Sequence, residues 1–345
     1  MLSAREAPAN VNKCLCPPGI FSYSAASHLR PMKSITLGSS TLTSSRLAYG
    51  CWRLAGPWTA ANLPADAEER GKKAVLAAYE AGYTLFDLAD VYSDGAAEII
   101  FGKALQDNPE MRSRIVISNK CGVRKKGVPT ADAPYRYDFS ADYIVQSCEK
   151  SLERMGVDVI DLYLLHRPDY LMNPAEVAGA FSRLQEAGKV REFGVSNFRP
   201  SQVNLLRKAC PMPLVVNQVE ISLLKLDTLN DGTLDQCSLE KITPMAWSPL
   251  AAGRLAETAP IDMNLADHSR RSRLRDTLDD IARGHSVSRP VVALAWLLKH
   301  PAGIVPIIGS ITTESIQDCT KAADLDLTHE EWYRLMEAGR GERLP

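Results

Sequence analysis

Four side chains able to hold or move a proton fall at the ends of three successive apolar runs. In FDLADVY, Phe86 to Tyr92, a carboxylate (Asp87) stands five residues before a phenol (Tyr92), where the apolar run TLF ends. Lys120 closes IVISNK, and His166 closes DLYLLH. Tyrosine is a poor acid near neutrality, with an ordinary pKa of about 10. A neighbouring ammonium favours the phenolate, and a carboxylate can hold that ammonium in place. The expected product is a tuned proton donor, Tyr92, with a histidine orienting whatever it protonates. Taken singly, the four are uninformative: a strand-end carboxylate is usually a cap or a surface charge, and a lone histidine is usually structural. Their joint placement points to chemistry.

For these residues to meet, the apolar runs must lie side by side with their ends on one face. From Met32 onward the chain alternates strand-like and helix-like segments. KSITLGSSTLTSSRLAYG reads as a short polar β pair leading into LAYGCW. TLFDLA, IVISNK, VIDLYLLH, VREFGVS, PLVVNQVE, ITPMAWS and GIVPIIGS follow as strands. Helices are expected over 66–82, 96–105 (with apolar Ile99, Ile100 and Leu105), 140–155 capped by Ser140, 174–187, 200–209, 269–283, 288–299 and 312–323. Residues 328–338 form a C-terminal addition capped by Thr328. Only the sixth strand lacks a convincing helix promptly after it. Alternating units predict a parallel sheet. Eight of them in about 300 residues predict an α/β fold, a single (β/α)8 TIM barrel over 34–345 with a short N-terminal β hairpin and an additional C-terminal helix. No G-x-G-x-x-G follows a strand, which argues against an open dinucleotide-binding sheet. Active groups of such a barrel sit at the C-terminal ends of strands, and all four residues meet that test.

The composition agrees with a soluble globular chain: 345 residues, 45% hydrophobic and 23% charged. A formal net charge of -1 indicates neither a nucleic-acid surface nor an acidic tail. No apolar run approaches the roughly 20 residues of a membrane span. The eight cysteines form no C-x-x-C pair, as expected for reduced thiols in a cytoplasmic protein. Residues 1–33, with Pro17-Pro18, several serines and four basic residues against one acid, read as a disordered tail, a transit-like peptide or sequence upstream of a start at Met32. A tail or a misplaced start is favoured.

FDLADVY, SNK, LYLLHRPD, GVSNF, NQVE and MAWSPL, in this order, resemble the aldo-keto reductases from about Ser34 to Ala338. LHRPD, MAWSPL and PIIGS look most like a bacterial-type branch often labelled only as oxidoreductases. The resemblance implies hydride transfer from a reduced nicotinamide to an aldehyde or ketone, with Tyr92 as general acid, Asp87 and Lys120 lowering its pKa, and His166 orienting the carbonyl. It assigns Ser196, Asn197 and Gln218 to the nicotinamide amide, although Ser-Asn could instead cap the next helix. Trp247 would stack on the nicotinamide, and Ser248, Leu250 and Gly253 would lie over the pyrophosphate. Gly309 and Ser310 precede a helix whose N-terminal amides suit an anion. Trp52 and Asp87 complete the implied cofactor set. Many relatives that read NADPH carry a lysine before that serine and an arginine five residues after it; here Gly309 and Ser315 hold those places. Arg254 could compensate. The family habit favours NADP(H), with NAD(H) open and no metal required.

Trp52, Trp58, Tyr135 and Tyr137 are expected at the substrate mouth. The long loop after the third strand carries Arg124, Lys125 and Lys126, which would tolerate an anionic group or form a solvated cluster. The expected partner is a small carbonyl or alcohol. One alternative is a cofactor-binding regulatory subunit of the same fold without significant turnover. A metal-dependent hydrolase is weaker, because of the six dispersed histidines only His166 ends a strand.

Overall fold

The computed structural model describes residues 32–56, 59–257, 261–262 and 265–345. The N-terminal segment up to residue 31 and Trp58 lie outside the described residues.

Eight parallel strands close into a barrel: β1 (Ala48–Gly50), β2 (Leu85–Asp87), β3 (Val116–Cys121), β4 (Ile160–Leu165), β5 (Val190–Ser196), β6 (Leu214–Glu220), β7 (Thr243–Trp247) and β8 (Val305–Ile308). Each pairs with its neighbour in sequence, and β8 returns to β1 through Ile307 opposite Ala48 and Ile308 opposite Tyr49. Below the barrel, an antiparallel hairpin pairs Ser34–Thr36 with Thr43–Ser45. Its turn residue Gly38 has φ 56°, and a Cβ there would stand 2.4 Å from the Val215 carbonyl oxygen. That close approach lets Leu37 and Leu42 plug the barrel base against Leu85, Val116, Leu162 and Val305.

The helices follow their strands. They are α1 (Ala67–Glu80), α2 (Ala96–Asp107), α3 (Ala141–Met155), α4 (Pro174–Glu186), α5 (Pro200–Ala209), α6 (Thr233–Leu239), α7 (His268–His285), α8 (Arg289–Lys299), α9 (Thr313–Thr320) and α10 (His329–Arg340). α3 shows why: Ile144, Cys148, Leu152 and Met155 recur at helical spacing and are buried, and Gly156 ends the helix at φ 64°. α6 is the helix after the sixth strand, which the sequence leaves without a convincing one promptly following, and it starts only at Thr233, well past Glu220. It is only seven residues long and buries Leu234 and Cys237, too short a pattern to read in sequence. α10 starts with the expected cap: Glu331 N–H donates to Thr328 Oγ1, and Thr328 N–H to the Glu331 carboxylate. It is fixed to α8 by Trp296 and Trp332, whose rings stack at 5.1 Å and whose indole N–H groups each donate to the other's carbonyl.

Among the described residues, no helix is long and apolar enough to cross a membrane. The six described cysteines are free thiols.

Candidate active site

Side chains alternate along a strand, so Asp87 shares a face with Leu85, and Ser118 and Lys120 share one with Val116. The apolar members fill the barrel base and the polar ones its C-terminal mouth. Lys120 is fully buried, and its Nζ donates to Asp87 Oδ2 at 2.7 Å and to the Leu88 carbonyl at 2.6 Å. Asp87 Oδ1 accepts from Ser118 Oγ (3.1 Å) and Gln218 Nε2 (2.8 Å). The ion pair is therefore hydrogen-bonded on both sides, as a buried pair must be. The ammonium also lies 5.1 Å from the centre of the Tyr92 ring and interacts with its hydroxyl.

Beyond Tyr92 the chain turns sharply into α2 through Ser93, Asp94 and Gly95, with φ of 49°, 54° and 90°. Two non-glycine residues in this left-handed region cost about 1–2 kcal/mol each. Asp94 holds the turn: one carboxylate oxygen accepts from Ala60 N–H (2.9 Å) and the other pairs with Lys125 (2.5 Å). His166 follows β4, and its backbone N–H donates to the Cys121 carbonyl at 2.8 Å. Its ring stands edge-on to Tyr92, 5.8 Å between centres and 81° between planes. Its Nδ1 is buried without a hydrogen-bond partner.

Burial dominates the protonation states. Desolvation pushes the Tyr92 phenol above its ordinary value; Lys120 opposes the rise and Asp87 adds to it. This corrects the expectation that Asp87 and Lys120 together lower that pKa, because only Lys120 acts in that direction and desolvation outweighs it. Burial also acts to lower Lys120, but Asp87 and Tyr92 outweigh it and hold the ammonium above its ordinary range. Desolvation, then Lys120 and Arg167, push His166 well below the usual imidazole range. The cluster therefore presents a protonated phenol, an ammonium and a neutral imidazole.

Beside it lies a connected set of amides. Ser196 ends β5, and its Oγ donates to the Gln218 carbonyl at 2.8 Å. Asn197, at φ 63°, donates from Nδ2 to the His166 carbonyl (3.1 Å) and to Ser196 Oγ (2.8 Å), and accepts from Trp247 Nε1 at 2.9 Å. At the start of α5 the Arg199 N–H donates to Gln202 Oε1 at 3.0 Å and the Gln202 N–H to the Arg199 carbonyl at 2.9 Å, so Ser196 and Asn197 are not spent as its cap.

A cleft of about 540 Å³ extends from Tyr92 and His166 to Ser315 and Asp318. Trp52, Asp87, Ser196, Asn197, Gln218, Trp247, Ser248, Leu250, Gly253, Gly309, Ser310 and Ser315 all line it. Arg254 does not: its Nε donates to the Ala251 carbonyl at 2.9 Å, and its side chain faces a separate small pocket with Arg271 and Arg289. It is thus not placed to replace the arginine absent at Ser315. The expected basic cluster of the long loop is also committed elsewhere, since Arg124 pairs with Asp138 (2.9 Å) and Lys125 with Asp94. Tyr137 packs near Tyr92, while Tyr135 meets it edge-on and stays half exposed.

Three cleft or support residues escape a sequence reading that follows only strand ends. Ser118 sits two residues before Lys120, on the same strand face. Arg167 directly follows His166. Asp318 lies one helical turn beyond Ser315. Among the described residues, no three His, Cys, Asp or Glu side chains gather as metal ligands.

A closed barrel with polar groups gathered at its C-terminal mouth defines an enzyme-like (β/α)8 protein, and comparison narrows the class. The aldo/keto reductase family profile matches residues 46–340, so the chain belongs to the aldo-keto reductase family. It is 41% identical over 315 residues to a 6-dehydroglucose reductase of Novosphingobium aromaticivorans, covering 90% of this chain and 96% of that protein. It is 37% identical to the oxidoreductase YdhF of Escherichia coli, covering 91% of this chain and 100% of that one. The crystal structure of the thermostable aldo-keto reductase Tm1743 with the inhibitor epalrestat superposes with a TM-score of 0.74 at 27% identity, covering 89% and 100%. Carbonyl oxidoreduction with a nicotinamide cofactor is the activity general to the family.

Proposed function

We propose that this chain catalyses the reversible NAD(P)H-dependent reduction of an aldehyde or ketone, with Tyr92 donating the proton. The observation that carries this reading is the Tyr92–Lys120–Asp87 cluster with His166 edge-on to the phenol, at one end of a long cleft. The cleft suits a dinucleotide. Amide and hydroxyl groups of Ser196, Asn197 and Gln218 converge beside Trp247, whose indole would pack on a flat ring. Further along, Ser248, Ala251, Ala252 and Gly253 take φ of 50°, 51°, 58° and 96°, and a Cβ on Gly253 would meet nothing within 4 Å. Such a turn lets backbone amides approach a pyrophosphate.

A bound reduced nicotinamide supplies the hydride to the carbonyl carbon. The oxygen then gathers negative charge, and donors aimed at it stabilise the transition state more than the ground state. His166, neutral because burial disfavours its cation, orients the oxygen through a ring N–H. Tyr92 transfers its proton, and Lys120 balances the phenolate left behind. In reverse, the phenolate accepts the proton of an alcohol. Family habit favours NADP(H), but Ser315 offers a hydroxyl where a guanidinium would grip a 2′-phosphate, so NAD(H) remains a candidate.

The test follows reduced-cofactor absorbance with NADPH and NADH in parallel over aromatic, aliphatic and dicarbonyl substrates, with 6-dehydroglucose included because two relatives bear that name. Tyr92→Phe should lose about 10²–10⁴-fold in turnover while cofactor binding is kept. Unchanged turnover in Tyr92→Phe overturns the acid assignment. Cofactor binding with no turnover on any substrate favours the regulatory-subunit alternative.

A further inference from the structure

We infer that the carbonyl substrate carries an anionic group, a carboxylate foremost, which Arg167 reads beside the reacting centre; this rests on the reductase reading above. Arg167 follows His166 directly, lines the same cleft, and holds its guanidinium 5.2 Å from the centre of the Trp247 ring. It adjoins His166 in the chain, and its charge bears on His166 and Tyr135, so it stands at the His166 end of the cleft rather than at the Ser315 end.

What marks Arg167 is that the carboxylate nearest it in sequence and those that line the cleft are committed elsewhere. Asp169, two residues on, accepts from the backbone N–H groups of Phe139 and Leu171. Asp87 serves Lys120, Ser118 and Gln218. Asp318, at the other end of the cleft, accepts from Ser288 Oγ and pairs with Lys321 at 2.8 Å. Among the described residues, none forms an ion pair with Arg167. A guanidinium keeps its charge at any working pH and carries five donors in a rigid fork. Half-buried on an aromatic floor, it gains most from a ligand that supplies the counter-charge. A carboxylate meets both demands with two parallel hydrogen bonds. A neutral polyol accepts hydrogen bonds but leaves the charge unmatched.

The anionic group stands apart from the carbonyl that reacts, so its contact with Arg167 changes little between ground and transition states. Loss of that contact should therefore fall mainly on the KM of anionic substrates. The experiment measures kcat and KM for 3- and 4-carboxybenzaldehyde against the methyl ester of each, with whichever cofactor supports turnover. Wild type, Arg167→Met and Arg167→Lys are compared. Wild type should prefer at least one acid over its ester by about ten-fold or more in kcat/KM. Arg167→Met should erase that preference, with a loss in kcat/KM several-fold larger for the acid than for its ester and carried mainly by the KM of the acid. Arg167→Lys should keep part of it.

Equal use of acids and esters by wild type overturns the proposal. So does a parallel loss on both in Arg167→Met, or a dependence of 6-dehydroglucose turnover on Arg167 as strong as that of the acids. Failure to reduce any carbonyl with either cofactor overturns the underlying reductase reading instead.

Discussion

The phenol of Tyr92 and the imidazole of His166 titrate in opposite directions, and both shifts come first from burial. Reduction needs the phenol protonated, and a raised pKa keeps it so beyond the ordinary tyrosine value of about 10. His166 serves as a neutral donor, and its depressed pKa keeps it neutral through the ordinary histidine value of about 6.5. The kcat/KM for reduction should therefore stay flat from about pH 6 to 9 and fall only on the alkaline side, while alcohol oxidation rises with pH. A limb near pH 6.5 in the reduction profile that vanishes in His166→Gln would refute the neutral-imidazole assignment. Asp87, Tyr92, Lys120 and His166 were legible because each sits at or just past a strand end, where barrel geometry converts sequence position into proximity. Arg254 was not. It follows Ala252, a non-glycine residue at φ 58°, and a turn so unusual sends the next side chains where no pattern predicts. Arg167 was passed over for another reason: a lone arginine in a loop usually reads as a solvated charge, and only its commitments in space distinguish it.

Within single elements the apolar residues located α2 without fixing its face. Of the three that marked it, Ile100 and Leu105 are buried but Ile99 is 42% exposed, while its neighbour Glu98 is fully buried. The reason is a polar network that periodicity cannot reveal. Glu98 accepts from Asn119 Nδ2 of β3 at 2.7 Å and from Arg154 Nε of α3 at 2.5 Å, and Asn119 Oδ1 accepts the Lys120 N–H at 2.8 Å. The network joins α2 and α3 to the strand that carries Lys120, on the side away from the cleft. A close approach accompanies it: a Cβ on Gly102 would stand 2.5 Å from the Met155 carbonyl oxygen. Removing the carboxylate leaves Arg154 and Asn119 partly unpaired, so Glu98→Ala should destabilise the fold by about 3 kcal/mol. Urea unfolding measures this, and a midpoint unchanged from wild type would mean that the helices are held by apolar packing alone. Ser140 likewise marks the start of α3 as read, yet its hydroxyl donates to Asp138 rather than capping the helix. Residue type announced the boundary without fixing the bond.

At the scale of the whole molecule, the count and alternation of apolar runs carried the architecture because a closed parallel barrel leaves each strand one interior face and one helix-covered face. The same closure makes the mouth the place where charge is buried. Asp90 shows the consequence. It follows β2, donates its backbone N–H to the Lys120 carbonyl at 3.0 Å, and buries Oδ1 without a hydrogen-bond partner. Burial first, then Glu98, pushes its carboxyl up to about 8, against the opposing pull of Arg154, the Val91 amide and Lys120. In the unfolded chain the same group titrates near 3.9. Between these values the native state holds a proton that the unfolded state has released, so stability falls as pH rises through that window and levels off above it. Asn at this position is neutral, of the same shape, and does not titrate. The melting temperature of Asp90→Asn minus that of wild type should therefore grow from pH 5 to pH 8.5 and then plateau. The subtraction cancels the opposite trend from His166, whose depressed pKa removes stability as pH falls below its unfolded value. Melts at pH 5, 7 and 8.5 decide the matter: a constant difference would mean that Asp90 is already ionised in the native barrel and balanced by Arg154 and Lys120.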